Sequence, residues 1–292
     1  MTALLVAVMT ILFSFQSLFC KLFSEKYKSG SAAMTSTIFS IAYGAFAGVA
    51  TLIIAGFRFA PSGFTLACGL ANAVILLTYN TAMIQASRSG SYSFQMICML
   101  FGAIVLPLVH GVVFLGGSLS AVQLAAIGMM LVSFVLMNLK GLTLKGSSGR
   151  FLLWCAALFT SNGLYSIVMN LQQLRMGGAE RNEMIILSYL GMALLYGAVQ
   201  IVRDRSALVQ GFRMERVPLM YLILCCVCAT AAAHMVLYIL TLVDAAVLYT
   251  IDNGGVLVLS VLYSRILFKE KLARAQIAGI VLAAASIIML SL

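Results

Sequence analysis

The sequence consists of long apolar blocks separated by short polar connections. Of the 292 residues, 63% are hydrophobic and only 9% are charged, and the mean hydropathy is +1.08. The blocks have the length of about twenty residues that an α-helix needs to cross the hydrocarbon core of a bilayer. They lack the alternation of polar and apolar positions that is typical of a transmembrane β-strand. We therefore expect an all-α integral membrane protein that crosses the bilayer many times.

The pattern predicts ten transmembrane helices. Gly, Pro and Ser interrupt the apolar blocks at 29–31, 61–63, 116–117 and 146–149. The first block lacks the basic n-region of a signal peptide, so we expect it to remain as the first helix. Pro107 falls inside the fourth helix, where it is expected to act as a hinge. The predicted helices span 3–23, 32–57, 64–86, 92–115, 120–139, 151–172, 183–202, 217–240, 245–268 and 273–290.

The net charge of +10 does not indicate a nucleic-acid surface, because the basic residues lie in the connections between helices. Lys and Arg are retained on the cytoplasmic face of a membrane protein. With ten helices, all but three of the 18 basic residues border the odd-numbered connections, and the exceptions are Arg58, Arg175 and Arg181. This asymmetry predicts that both termini lie outside the cytoplasm, in what we expect to be a bacterial inner membrane.

The second half of the sequence is similar to the first. A shift of 153 residues superposes 92–137 on 245–290 without a gap. The matched pairs include Gly102 with Gly255, Gln123 with Gln276, and Ser133 with Ser286. We predict two five-helix repeats, 1–145 and 146–292, that form one transmembrane unit. Because five is an odd number, the second repeat must cross the bilayer in the opposite sense, and inverted repeats of this kind are typical of secondary transporters.

The ends of both repeats also resemble those of a known family. The run 267–290, with Glu270 between two lysines, is similar to the helix-Glu-helix ending of EamA-like members of the drug/metabolite transporter superfamily. The first half matches it in part at 106–108, but has Gly117 where the second half has Glu270. The resemblance implies ten helices in two inverted repeats around a central cavity, and transport of small metabolites. It also implies cytoplasmic termini, opposite to what the charge distribution predicts.

A carboxylate lies inside the ninth apolar block. Asp252 is seven residues beyond the predicted helix start at Ala245, which places it roughly 10 Å inside the hydrocarbon layer. An acidic residue near the centre of a spanning helix costs about 2.5 to 3.5 kcal/mol, so such residues usually face a polar cavity. Tyr249 and Asn253 extend its polar face along the helix. We predict a substrate-binding or proton-coupling site here; a protonated structural aspartate is the alternative.

Two histidines are predicted at the same depth as Asp252. His110 is five residues from the end of the fourth helix, and His234 is six from the end of the eighth. Both ends border even-numbered connections, as does the start of the ninth helix, so all three side chains are expected roughly 8 to 10 Å from one face. His234 is the favoured partner of Asp252, because its helix directly precedes the ninth. For each histidine, the alternative is a packing role.

Four further polar residues are weaker candidates for lining a cavity. Asn72 and Tyr79 lie in the third predicted helix, and Asn162 and Tyr165 lie in the sixth. Each needs a hydrogen-bond partner in a membrane interior. Interhelical hydrogen bonds that only hold helices together are the alternative for all four.

Two patterns are assigned to packing. Cysteines are concentrated at 225–228, but no fourth ligand is spaced to join them, so we expect no metal site and no cofactor. Gly44 and Gly48 have the small-xxx-small spacing that predicts close contact between helices.

These patterns favour a secondary active transporter that moves a small polar, cationic or aromatic metabolite, such as an amino acid or an amine, by alternating access. Protons are the candidate coupling ion, through Asp252. No Walker sequence is present, so we do not expect this chain to hydrolyse ATP. The alternatives are a channel or a lipid-precursor flippase and, least favoured, an intramembrane enzyme, because the sequence lacks a continuous polar stripe and a pair of facing catalytic groups. The expected partners are the bilayer, the substrate and protons, with no nucleic acid, and both a monomer and a homodimer fit.

Overall fold

The computed structural model describes residues 2–27, 32–89, 92–139, 148–267 and 273–290. It is 88% helical, and these residues form ten helices without a strand. The predicted repeat boundary at 145/146 and Glu270, which is part of the resemblance to EamA-like transporters, lie outside the described residues. The helices are α1 (Thr2–Lys26), α2 (Ala32–Ile54), α3 (Gly63–Ser89), α4 (Tyr92–Phe114), α5 (Ala121–Asn138), α6 (Gly149–Met176), α7 (Arg181–Gly211), α8 (Arg216–Ile239), α9 (Ala245–Leu267) and α10 (Arg274–Leu290).

Six of the helices are long and apolar enough to cross a membrane: α1, α2, α3, α6, α7 and α8. The apolar parts of the other four are shorter within the described residues, at Cys98–Phe114, Ala121–Met137, Val247–Leu259 and Arg274–Met289. The all-helical fold is therefore confirmed, and the six long apolar helices suggest a membrane protein. The full set of ten spans and the inverted repeat remain predictions.

The helices pack in pairs that recur when helix n is exchanged for helix n+5. Helix α1 packs along α8 and α9, and α6 correspondingly packs along α3 and α4. Helix α2 packs on α7, and α5 packs on α10. The exchange converts the pairs of α1 into the pairs of α6 and leaves α2–α7 and α5–α10 unchanged, which is the pattern expected of two related halves.

Two glutamines that match in the repeat begin their helices in the same way. Ser120 caps α5 by accepting a hydrogen bond from the backbone N–H of Gln123 at 3.2 Å, and the Gln123 side chain accepts one from the Ser120 N–H at 3.0 Å. In α10, the side chain of Gln276 accepts a hydrogen bond from the Ala273 N–H at 2.8 Å. These bonds satisfy N–H groups that a helix start leaves without partners.

Helices α5 and α10 are joined by two reciprocal hydrogen bonds. The Ser133 hydroxyl donates to the carbonyl of Gly279 at 2.8 Å, and the Ser286 hydroxyl donates to the carbonyl of Ala126 at 2.6 Å. The shift of 153 residues converts Ser133 into Ser286 and Ala126 into Gly279. Both serines are completely buried. A local two-fold relation between the two helices produces such a pair of bonds.

Helix α7 contains a π-helical segment at Ile186–Leu190. The backbone of α2 approaches it closely: a Cβ added at Gly44 would overlap the Tyr189 carbonyl oxygen, and one added at Gly48 would lie 2.7 Å from Leu190 Cβ. The close packing predicted for Gly44 and Gly48 is thus confirmed. Single-turn π segments frequently occur at functional sites, and this one positions Tyr189.

Helix α7 also continues nine residues beyond the predicted end at residue 202. Its regular path is broken at Asp204, which has extended backbone angles (φ −165°, ψ 97°). The Asp204 carboxylate accepts hydrogen bonds from the Ser206 hydroxyl (2.7 Å) and the Ala207 N–H (3.0 Å), so it caps the final turns. The predicted end corresponds to this break. By contrast, α4 continues past the buried Pro107 to Phe114, and the hinge predicted there stays a prediction.

Candidate functional site

The Asp252 carboxylate is buried where α9 crosses α1. The helix starts at Ala245, as predicted, and the Asp252 side chain is only 9% exposed. The Thr10 hydroxyl of α1 donates a hydrogen bond to Asp252 Oδ1 at 3.2 Å. Asn253 instead donates its side-chain amide to the carbonyl of Tyr249 on its own helix, at 2.7 Å. Asp252 therefore faces a neighbouring helix inside the protein and not lipid.

Two glycines that follow Asp252 allow this close crossing. A Cβ added at Gly255 would lie 2.5 Å from Thr10 Cγ2, and one added at Gly254 would overlap the terminal methyl of Met130 in α5. A larger residue at either position would displace the side chain of Thr10 or Met130 from its contact with α9. The sequence Asp-Asn-Gly-Gly thus brings the carboxylate within reach of the Thr10 hydroxyl.

The Tyr249 hydroxyl lies one helical turn before Asp252 without a hydrogen-bond partner. The side chain is 6% exposed, and its oxygen is buried. Tyr165 and Asp252 lie near it. Ser166 also lies beside it, but the Ser166 hydroxyl donates to the Asn162 carbonyl at 3.1 Å and so does not donate to Tyr249. Leaving a buried hydroxyl without a partner costs about 1 to 3 kcal/mol, so a ligand or a water is expected to complete this site.

Three more tyrosines from three other helices lie next to this position. The hydroxyls of Tyr165 (α6) and Tyr189 (α7) are hydrogen-bonded at 2.9 Å. The ring of Tyr43 (α2) lies 5.1 Å from that of Tyr189, tilted by 56°. We refer to Asp252, Tyr249, Tyr165, Tyr189 and Tyr43 as the central cluster.

The sequence analysis missed three residues of this region. Tyr43 carried a weak signal, because it precedes Gly44 of the predicted close-packing face. Tyr189 carried no sequence signal, because its orientation depends on the π segment, which the sequence did not predict. Thr10 is one of several hydroxyl residues in α1, and only the tertiary contact with Asp252 distinguishes it.

Two of the weaker candidates meet at one residue of α4. The Tyr79 hydroxyl contacts the Met99 sulfur at 2.9 Å, and the side-chain amide of Asn162 donates to the Met99 carbonyl at 2.9 Å. Asn72 instead donates to the Ser188 hydroxyl at 3.4 Å, and its own carbonyl oxygen is buried without a partner. Tyr79 also lies near Tyr165. Tyr79 and Asn162 therefore extend from the central cluster towards α4.

His234 has a different hydrogen-bond partner from Asp252. Its Nε2 lies 3.1 Å from the Thr51 hydroxyl at the end of α2. The half-buried ring lines a pocket of about 360 Å³, which we call the outer pocket; its other lining residues are Gly178, Glu180, Arg181, Asn182 and Glu183. The predicted pairing of His234 with Asp252 is not seen as a hydrogen bond between these two described residues and stays a prediction.

His110 packs against an aromatic ring. Its ring is stacked on that of Phe114, one turn later in α4, with centroids 5.5 Å apart. This contact agrees with the packing role that was the alternative for this residue, and a role in the site remains a prediction.

Glu180 connects the loop after α6 to the start of α3. Its carboxylate accepts hydrogen bonds from the Ser62 N–H at 3.0 Å and the Ser62 hydroxyl at 2.8 Å. Hydrogen bonds from the Thr65 hydroxyl and from the Ser62 N–H hold the pKa of Glu180 below its usual value, because they favour the charged form. Its backbone is in the left-handed region (φ 54°), which is unusual for a non-glycine residue and is stabilised here by these contacts.

The seven cysteines are all free thiols. In the part of the chain that the structure describes, no three His, Cys, Asp or Glu residues are grouped so that they could hold a metal ion.

No family model matches the chain, and no curated protein matches it. A solved structure described only as "Crystal structure of protein" is similar in fold, with a TM-score of 0.75 over 99% of this chain and 95% of that chain. The sequences of the two are 14% identical. At this identity the likeness shows the fold alone, and the resemblance to EamA-like transporters remains an expectation.

Proposed function

We propose that the protein is a secondary active transporter that moves a small polar, cationic or aromatic metabolite across the membrane by alternating access. The observation that carries this proposal is the buried Asp252 carboxylate, located beside the unpartnered Tyr249 hydroxyl in a membrane protein. Ionisable residues at such depth usually mark a substrate or ion pathway, because they are costly to keep there.

The chemistry of the central cluster favours an amine or an aromatic amino-acid-like substrate. One carboxylate can bind a cationic group through a charge-assisted hydrogen bond. The faces of Tyr43, Tyr165, Tyr189 and Tyr249 can bind a cation or pack against an aromatic ring. These groups come from four helices, so a molecule held between them would contact α2, α6, α7 and α9 at once.

The hydrogen bond between Thr10 and Asp252 suits a group that gains and loses a proton. A hydroxyl can donate to a carboxylate, as it does at 3.2 Å here, and it can accept from a carboxylic acid by rotating. The same contact can therefore serve both protonation states of Asp252. Proton coupling through Asp252 is the coupling that we propose.

The packing of the helices supports alternating access between two inverted repeats. Helix pairs recur when helix n is exchanged for helix n+5, and the bonds of Ser133 and Ser286 are reciprocal. In transporters built from inverted repeats, the substrate site lies between the two repeats, and access alternates when one repeat rocks against the other. We propose that the termini lie outside the cytoplasm of a bacterial inner membrane, as the charge distribution predicts.

A counterflow assay tests the proposal. Purified protein is screened by thermal shift against amines and amino acids, because a ligand stabilises the state that it binds. The compounds that stabilise the protein are then tested for exchange across proteoliposomes, with Asp252→Asn as the variant. The control is Asp244→Asn at the exposed start of α9, where asparagine caps a helix as well as aspartate. We expect exchange by the wild type and the control and a strong loss in Asp252→Asn; equal exchange by all three proteins would contradict the proposal.

A further inference from the structure

The outer pocket is of a size that suits a small ligand. Its volume of about 360 Å³ is at the lower end of the range of roughly 300 to 1,000 Å³ that is typical of small-molecule sites. The start of α7 forms one side of it, and His234 near the end of α8 forms the other. The pocket therefore lies at the α7–α8 seam, on the face of the protein that carries the connections after α6 and α8.

Two opposite charges line the pocket without neutralising each other. The carboxylate of Glu183 makes no ion pair or hydrogen bond with any described residue. The Arg181 guanidinium lies over the ring of Tyr238, 5.3 Å from its centroid, and likewise pairs with no described carboxylate. Glu180 is already bound to Ser62, so its carboxylate is the less available of the two.

Two neutral polar groups lie beside these charges. The side-chain amide of Asn182 lines the pocket and makes no hydrogen bond within the described part of the chain. One ring nitrogen of His234 is used by Thr51, and the other is available. The pocket thus offers a carboxylate, a positioned guanidinium, an amide and an imidazole nitrogen within one small volume.

We propose that the outer pocket binds a small zwitterion, with the ammonium group on Glu183 and the carboxylate on Arg181 and Asn182. Charge-assisted hydrogen bonds of this kind are about twice as strong as neutral ones. A ligand with only one sign of charge would leave either Glu183 or Arg181 facing it without compensation. The inference rests on the proposed function in one respect: the pocket would be the first docking position on the path to Asp252, because the start of α9 borders the same face.

Binding measurements on the purified full-length protein test this inference. The twenty standard L-amino acids are titrated singly by calorimetry into the Asp252→Asn variant, which lacks the carboxylate of the central cluster, with putrescine as a probe that carries only positive charge and succinate as one that carries only negative charge. We expect at least one amino acid to bind saturably and both single-sign probes to bind at least 10-fold more weakly. Absence of saturable amino-acid binding, or equally tight binding of putrescine or succinate, would overturn the inference.

Variants of the two charged residues then locate the binding. We expect Glu183→Gln and Arg181→Gln each to weaken amino-acid binding about 10-fold, as loss of a charge-assisted contact predicts. Arg181→Lys retains the charge and should retain most of the binding. The matched control is Glu215→Gln, an exposed glutamate that precedes α8 at the opposite face. Unchanged dissociation constants in both Gln variants, with melting temperatures like the wild type, would overturn the inference.

The variant Asp252→Asn separates this inference from the proposed function. Since the outer pocket does not contain Asp252, its amino-acid binding should persist in Asp252→Asn while exchange is lost. If exchange persisted in Asp252→Asn and binding still depended on Glu183 and Arg181, the proposed function would be wrong, but the inference that the outer pocket binds a zwitterion would be supported. If exchange were lost in Asp252→Asn but amino-acid binding did not depend on Glu183 and Arg181, the inference about the outer pocket would be wrong.

Discussion

Two helix crossings in this protein are related by the shift of 153 residues but differ in one side chain, which is apolar in the first and charged in the second. Where α4 crosses α6, a Cβ added at Gly102 would overlap Phe159. Where α9 crosses α1, the equivalent Gly255 lies against Thr10. One turn before each glycine, the first crossing has Met99 and the second has Asp252. The backbones approach closely at both crossings, but only one of them holds a charge.

This difference indicates that the carboxylate is not needed to build such a crossing. At Met99, the sulfur and the backbone carbonyl bind Tyr79 and Asn162, so the polar groups there satisfy one another. At Asp252, a single threonine hydroxyl is the described hydrogen-bond partner. We infer that the first crossing serves packing and that the second has the additional role in transport. The following predictions test this asymmetry.

The largest effect on uptake is expected when the two side chains that differ between the crossings, Asp252 and Met99, are each replaced. Asp252→Asn removes the charge from a buried group that accepts a hydrogen bond, and hydrogen bonds to charged groups contribute about 1.5 to 3 kcal/mol, so uptake should fall at least about 10-fold. Met99→Leu conserves volume and apolar character and should change uptake by no more than about twofold, at a cost below about 1.5 kcal/mol. Uptake in proteoliposomes measures both, and similar losses in the two variants would refute the asymmetry.

Substitution of Gly102 should mainly lower stability, whereas substitution of Gly255 should mainly lower uptake. Gly102→Ala places a methyl group against the Phe159 backbone carbonyl, which cannot turn aside, so we expect a stability loss of about 2 to 3 kcal/mol. Gly255→Ala meets the end of the Thr10 side chain, which can rotate at a cost of about 1 kcal/mol.

Rotation of Thr10 would nevertheless weaken its bond to Asp252, so Gly255→Ala should lower uptake more than it lowers stability. Equilibrium unfolding in detergent, together with uptake, distinguishes these outcomes. If Gly255→Ala lost stability but kept wild-type uptake, the bond between Thr10 and Asp252 would have no role in transport.

The reciprocal bonds between α5 and α10 should have equal and small effects. Ser133→Ala and Ser286→Ala each remove one buried interhelical hydrogen bond, for which about 0.6 kcal/mol is average and about 1.7 kcal/mol is the observed maximum in a membrane protein. We expect the two losses to agree within about 0.5 kcal/mol. Unfolding measurements on both variants check this, and an effect confined to one serine would show that the two halves are not equivalent there.

The smallest expected effect is on the pH dependence of stability, which should differ between contacts at the two ends of the molecule. Ser62 and Glu180 lie in the connections before α3 and after α6, whereas a contact at the opposite end joins the connections after α1 and α7: the Tyr27 hydroxyl donates to the Gly211 carbonyl at 2.6 Å. Because the pKa of Glu180 is lower in the folded protein than its usual value of 4.5, its contribution to stability is present above that value and is lost as the pH falls through the folded pKa.

Acid titration of the melting temperature tests this prediction. We expect Glu180→Gln to flatten the loss of stability below about pH 4.5, whereas Tyr27→Phe should lower the melting temperature by the same amount at every pH in that range. An unchanged acid profile in Glu180→Gln would show that the contact with Ser62 does not contribute to stability.

The sequence predicted helices well and contacts between distant helices poorly. The start of α9 was predicted to the residue, because a polar connection precedes a long apolar block there. Gln123 and Gln276 indicated a repeat, and the structure shows that each accepts a hydrogen bond at its helix start. These features depend on local sequence alone.

The central cluster depends on features that local sequence does not encode. Tyr189 lies in the π segment and its hydroxyl is hydrogen-bonded to that of Tyr165, but no sequence pattern predicted the π segment. The placement of His234 was predicted from depth in the membrane, but depth does not determine which neighbour a side chain faces. Its hydrogen bond is with Thr51 of α2, which the sequence analysis did not consider.

The central claim is that Asp252 holds the substrate or a proton during transport. Uptake of a transported compound across a range of external pH, by the wild type, Asp252→Asn and the Asp244→Asn control, tests it most directly. We predict that the control behaves as the wild type and that uptake by Asp252→Asn is strongly reduced and no longer depends on pH. Wild-type uptake by Asp252→Asn at every pH would contradict the claim.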